Sequence, residues 1–158
     1  MNVLIKSATI LDKKSDFNNT IQDILVENGF IKKIEPSINN TQNSPLINFE
    51  NLHISQGWFD SSVCFGEPGY EDRETIKNGL IVAAKSGFTS VVLQPNTSPV
   101  LDEKSVVSFV KNNSTKSATT ILPSGALTKN SEGNNLAEIY DMFSEGCVAF
   151  GDYKKQIK

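Results

Sequence analysis

A chain of 158 residues, 38% hydrophobic and 21% charged, is long enough for a globular domain with a substantial core. Its net charge of −3 gives no support to nucleic acid or an acidic membrane as partner. No segment approaches the roughly 18 consecutive apolar residues of a transmembrane helix, and the apolar start Val3-Leu4-Ile5 is too short for a signal peptide, so a cytoplasmic location is expected.

The first fifty residues have the pattern of β structure. Val3-Leu4-Ile5 and Thr9-Ile10-Leu11 are short apolar runs. Ile24 to Glu27 and Phe30 to Ile34 flank Asn28-Gly29, a strong hairpin signal because a type I′ turn needs positive φ at both central positions. Ser37 to Pro45 is rich in Asn, Ser and Thr and is expected to be a loop. Together, residues 1–52 predict part of a small β-sandwich.

From there strand and helix alternate. His53 to Phe59, continued by Val63 to Phe65, predicts a buried strand. Thr75 to Ser86 places Ile76, Leu80, Ala83 and Ala84 on one helical face and is closed by Gly87. Thr89 to Leu93 is a β-branched strand ending near Pro95. Asp102 is expected to cap a helix running through Val110, with Val106, Val107 and Val110 facing inward. Thr119 to Leu122 is the next strand, stopped by Pro123. Leu136, Ile139, Tyr140 and Phe143 follow helical spacing, Gly146 ends that helix, and Cys147 to Phe150 is a fourth strand. Right-handed crossovers make such a sheet parallel.

The fold class is therefore α/β. Four strands with three helices suit either a small open sheet or half of an eight-stranded barrel, and no glycine-rich phosphate loop favours the nucleotide-binding open sheet. With residues 53–158 taken as a half (β/α)8 barrel, an apolar inner face near Val63, Phe65 and Val92 would be left uncovered. The two cysteines are too few for a disulfide framework and are expected to be small buried hydrophobes.

Active groups of a βα barrel sit at the C-terminal strand ends. These are Asp60 to Gly69, Gln94 to Thr97, Pro123 to Leu127 and Gly151 to Tyr153. Gln56-Gly57-Trp58-Phe59-Asp60, Glu67-Pro68-Gly69-Tyr70-Glu71, Pro95-Asn96-Thr97-Ser98-Pro99-Val100 and Gly125-Ala126-Leu127-Thr128 occur in this order. In these motifs the chain resembles the N-terminal part of type I dihydroorotases, cyclic amidohydrolases that use zinc. That resemblance implies a (β/α)8 hydrolase of pyrimidine biosynthesis whose first strand normally ends Asp-x-His-x-His-x-Arg-Glu-Pro-Gly. Ser62 and Cys64 stand at the two histidine positions and Gly66 at that of the arginine, which in the family grips the substrate carboxylate.

Other positions keep the family's residue types. Asn96 matches a residue that helps hold that carboxylate, and beside Pro95 it can equally be a turn asparagine. Asp152 matches the first of two acidic residues, one of which binds metal in some members; Tyr153 and Lys154 break that stretch, and an exposed strand-end carboxylate is the preferred reading. His53, the only histidine, precedes its strand at the wrong end for a ligand. The resulting expectations are a non-catalytic dihydroorotase homologue or a fragment of a longer one, with no cofactor. Its partners would be aspartate carbamoyltransferase, a second copy, or the missing barrel half. The alternative is part of an active cyclic amidohydrolase with an altered metal site.

Overall fold

A computed structural model of the chain describes residues 1–114 and 116–156. Ile157 and Lys158, the end of the expected half-barrel, lie outside them. Two compact units divide between Gln56 and Gly57. The expected division after Leu52 is displaced because His53–Ser55 pairs with the first strand of the N-terminal unit.

That unit is one mixed sheet. Strands β1 (Val3–Leu11), β2 (Ile21–Glu27), β3 (Phe30–Glu35) and β4 (Leu46–Ile47) lie in the order β3-β2-β1-β4, and β5 (His53–Ser55) also pairs with β1. The Asn28-Gly29 turn forms as expected, with φ of 52° and 82°. The two apolar runs near the start merge into one strand whose pairing slips between Ile5 and Ala8. Asp23 explains the slip. Its buried carboxylate accepts hydrogen bonds from Ser7 N (2.9 Å) and Ile38 N (2.8 Å), and the Lys6 ammonium pairs with it. Ser7 thus leaves the ladder to satisfy a buried charge, which an unpaired carboxylate could not afford.

The second unit contains β6 (Trp58–Val63), α1 (Ile76–Lys85), β7 (Phe88–Leu93), α2 (Lys104–Asn113), β8 (Thr120–Gly125), α3 (Ile139–Glu145) and β9 (Ala149–Phe150). All strand pairings are parallel, in the order β6-β7-β8-β9. This is the expected half-barrel. Its main core joins Phe65, Ile76, Leu80, Val91, Leu93, Val106, Val110 and Ile121 between sheet and helices. A smaller cluster of Val107, Met142 and Cys147 seats α3. Each fully buried Leu or Val contributes roughly 1.5–3 kcal/mol.

Several details differ from expectation. Trp58 and Phe59 are exposed, because β6 is an edge strand. Val92 and Phe65 are buried and Val63 packs on the core, so the uncovered apolar surface lies elsewhere. Glu103 precedes α2 and makes no capping bond to the helix backbone, its carboxylate accepting from the Ser105 hydroxyl; Asp102 accepts from Asn130 N (2.8 Å) in the loop after β8. Pro123 lies inside β8, its carbonyl accepting from Val148 N (2.9 Å). Its missing donor falls where pairing to β9 only begins. The helix α3 starts only at Ile139, so Leu136 lies before it, bridged to Thr128; Leu136, Tyr140 and Phe143 are exposed, and Met142 is the buried residue of α3.

Candidate functional site at the C-terminal strand ends

The β6 end is organised by its own backbone. Asp60 turns back to accept from Ser62 N (2.9 Å), and Gln94 N on the β7 side donates to Val63 O (2.9 Å). Ser62 and Cys64 are both exposed. The expectation of two buried cysteines thus holds for Cys147 and fails for Cys64. Just past the end of β6, the neighbouring Phe65 takes the core position and Cys64 is left outside it. Burial pushes the Cys147 thiol up to about 11, outweighing the Lys111 charge and the Gly125 amide.

Gly66 is closed in. Its N–H donates to Glu74 O (2.8 Å) and its carbonyl accepts from Tyr70 N (2.9 Å). A Cβ placed on Gly66 would lie 1.7 Å from the Tyr70 carbonyl oxygen. This loop geometry has no space for any side chain at that position.

The acidic run that follows holds the loop together. Glu67 accepts from Ile76 N (2.8 Å) at the start of α1, and Thr75 caps the same helix through Asn78 N. Glu74 accepts from Thr75 N and the Asn78 amide. Glu71 accepts from Gly69 N, and that bond holds its carboxyl below the ordinary value.

Asp152 is neither exposed nor free, which overturns the preferred reading of an exposed strand-end carboxylate. It is 7% exposed and accepts from Leu127 N (3.1 Å), Thr128 N (3.0 Å) and Thr128 Oγ1 (2.5 Å). Thr128 Oγ1 in turn accepts from Gly133 N (2.8 Å). The carboxylate therefore ties the end of β9 to the loop after β8. Thr128 carries as much of this lock as Asp152 and was missed, although it ends the Gly125-Ala126-Leu127-Thr128 motif.

Asn96 is half-buried, and its Oδ1 is enclosed without a hydrogen-bond partner. It lines a cleft of about 210 Å³ with Tyr70, Thr97, Asn130, Tyr153 and Lys155. The Lys154 ammonium lies 5.0 Å from the Tyr153 ring centroid; its bond to Tyr153, the Tyr153 charge and the nearby Cys64 all raise its pKa. His53 is exposed in the N-terminal unit, Nδ1 pairing with Asn51 O at 2.7 Å.

The zinc implied by the sequence resemblance does not fit these residues. Among the described residues no three His, Cys, Asp or Glu side chains form a group able to hold a metal ion. Cys64, just past the end of β6, is the one soft donor there, serine is a poor zinc ligand, and both Asp152 oxygens already accept hydrogen bonds.

A parallel βα sheet with its polar groups at the strand ends is the architecture of a TIM barrel, and known structures share the fold. L-hydantoinase (dihydropyrimidinase) from Arthrobacter aurescens superposes with a TM-score of 0.77 at 20% identity, over 94% of this chain and 32% of that one. A crystal structure of a dihydroorotase superposes with a TM-score of 0.63 at 13% identity, over 94% and 41%. Residues 53–158 match the family model described as dihydro-orotase-like. The chain is also 34% identical to a dihydroorotase from Trichlorobacter lovleyi over 100% of its length and 37% of that protein's. It is 39% identical to one from Pelotomaculum thermopropionicum over 96% and 35%. The chain belongs to the dihydroorotase-like family, and spans little more than a third of the length of these curated relatives.

Proposed function

We propose that this chain is a dihydroorotase-like component of pyrimidine biosynthesis that does not itself hydrolyse the cyclic amide. It acts instead as a scaffold for aspartate carbamoyltransferase. The observation that carries the reading is the β6 end. Serine and cysteine stand exposed where the resemblance calls for paired imidazoles, and the Gly66 loop leaves no room for a guanidinium. Without a held metal, no bound water is brought to a pKa near ~7 to attack the ring amide.

Three measurements test it. After dialysis the purified chain should retain less than stoichiometric zinc by elemental analysis. It should not interconvert carbamoyl aspartate and dihydroorotate above background, with or without added zinc or manganese. The immobilised chain should retain the transferase from the same source. Turnover with added metal would refute the reading.

The exposure of Cys64 favours one second reading, an altered metal site within an active cyclic amidohydrolase. In that case the chain binds zinc weakly and Cys64→Ala abolishes the binding.

A further inference from the structure

Asparagine followed by glycine occurs twice, at Asn28-Gly29 and Asn78-Gly79. In such a pair the glycine has no Cβ to keep its backbone nitrogen away from the preceding side chain, and that nitrogen can attack the side-chain amide. The fold places the two pairs in opposite surroundings. Gly79 is buried within α1, its N–H donates to Thr75 O (2.9 Å), and a Cβ on it would lie 2.5 Å from the Phe65 ring. The Asn78 amide nitrogen is held by the Glu74 carboxylate at 3.0 Å. Asn28 and Gly29 are both exposed at the tip of the β2–β3 hairpin, with open space around Gly29. Two hydrogen bonds close this turn onto the first two residues: Gly29 N donates to Met1 O (3.1 Å) and Asn28 N to Asn2 Oδ1 (2.8 Å).

We infer that Asn28 is a site of spontaneous deamidation, through which the β2–β3 hairpin acquires a carboxylate and an altered backbone. The Gly29 nitrogen forms a bond to Asn28 Cγ, the Cγ–Nδ2 bond breaks, and Nδ2 leaves as ammonia, taking up the Gly29 amide proton. Water then opens the five-membered imide. Cleavage at Cγ gives aspartate. Cleavage at the Asn28 carbonyl carbon gives isoaspartate, in which the main chain runs through Cγ and is one methylene longer. Water is the only co-reactant, and nothing is oxidised or reduced. Ring closure needs the turn to open, because in the closed turn the Gly29 N–H is committed to Met1 O. That opening breaks bonds only to the first two residues, of which Met1 is 86% exposed, and chain ends fray at little free-energy cost. In α1 the same closure would unwind the helix against the Phe65 ring and the core around Ile76 and Leu80. An isoaspartate lengthens a two-residue loop of the kind that fixes strand register, here Glu27 opposite Phe30 and Val26 opposite Ile31. This inference holds whether or not the chain serves as a scaffold, and its readout is mass rather than activity.

The test is to age the 158-residue chain for several weeks at mildly alkaline pH, digest it at acidic pH and read the peptides by mass spectrometry. The change from amide to acid should appear at Asn28 and should run about a hundredfold faster there than at Asn78, or more. Electron-transfer fragmentation separates isoaspartate from aspartate, and both should be present. In urea the two rates should come within about threefold of each other, since folding no longer distinguishes the pairs. Asn2→Ala removes the acceptor for Asn28 N and should speed the native reaction about threefold; circular dichroism checks that this variant remains folded. Hydrogen exchange across Phe30–Glu35 should be faster in the isoaspartate fraction than in the unaged chain. An Asn28 that stays intact in the folded chain would overturn the proposal. So would equal native rates at Asn28 and Asn78, a folded Asn2→Ala chain that reacts no faster than its parent, or unchanged exchange in β3.

Discussion

Replacing Asp152 with alanine separates a mechanical carboxylate from a metal ligand. The substitution removes the acceptor for Leu127 N, Thr128 N and Thr128 Oγ1. The hydroxyl can turn to another partner, but the two amides sit in a segment where Ala126 and Thr128 are almost wholly buried. An unsatisfied buried donor costs about 1–3 kcal/mol. With water reaching part of the gap, Asp152→Ala should destabilise the unit by about 2–5 kcal/mol, a large share of the ~5–15 kcal/mol margin of a typical domain. Asp152→Asn keeps one carbonyl oxygen as acceptor and loses the charge, so it should cost about 1–2 kcal/mol. Urea unfolding followed by far-UV circular dichroism reads both, with the midpoint shifting and the slope unchanged. Added zinc should not alter the ranking. An alanine variant within ~0.5 kcal/mol of the parent, together with reduced zinc retention, would refute the lock.

Gly66→Ala drives a Cβ into the Tyr70 carbonyl and should cost about 1–3 kcal/mol by the same unfolding measurement. Gly66→Arg, combined with Ser62→His and Cys64→His, should accordingly bring back no dihydroorotase activity. A thiol reagent at pH 8 should label the exposed Cys64 quickly and reach Cys147 only after unfolding, because burial holds the latter's pKa at about 11; mass spectrometry of labelled peptides reads the difference. Burial raises the pKa of Asp23, but the Lys6 bond, the Ser7 and Ile38 amides and the Lys6 charge together bring it below the ordinary value. Its contribution is therefore complete above the unfolded pKa of about 3.9 and is lost as pH falls through the lower folded value. Asp23→Asn should flatten the acid limb of a stability–pH curve.

Local signals in the sequence were read correctly where one residue type and one backbone conformation settle the matter. Asn28-Gly29 could hardly be anything but a turn, and Thr75 with Gly87 bounded α1 because the capping chemistry is local. The helix near Phe143 shows where such reading stops. Apolar periodicity identifies a face that must be covered without saying what covers it. In α3 that face is open, and Met142, outside the stripe, makes the buried contact. Asp102 and Asp152 fail for a related reason. Each carboxylate bonds a loop distant in sequence, Asp102 at Asn130 and Asp152 at Leu127 and Thr128, and no local spacing encodes that meeting.

These bonds also bear on what the strand-end motifs are for. Glu67 and Asp152 are two of the acidic residues through which the chain resembles metal-dependent relatives, and both have full mechanical employment here. Glu67 satisfies the first amide of α1, and Asp152 fixes the loop after β8. Neither role needs a metal ion, and each fixes its residue by structure alone. Ser62, Cys64 and Gly66 lie between the parts of the same motif. The first two are exposed, without the buried partners that hold Glu67 and Asp152, and Gly66 is fixed by the close approach of Tyr70. The framework of the site is thus held by hydrogen bonds that do not use the Ser62 or Cys64 side chains. The proposed scaffold reading requires such a frame: hydrogen bonds hold it, and none of them depends on a metal ion.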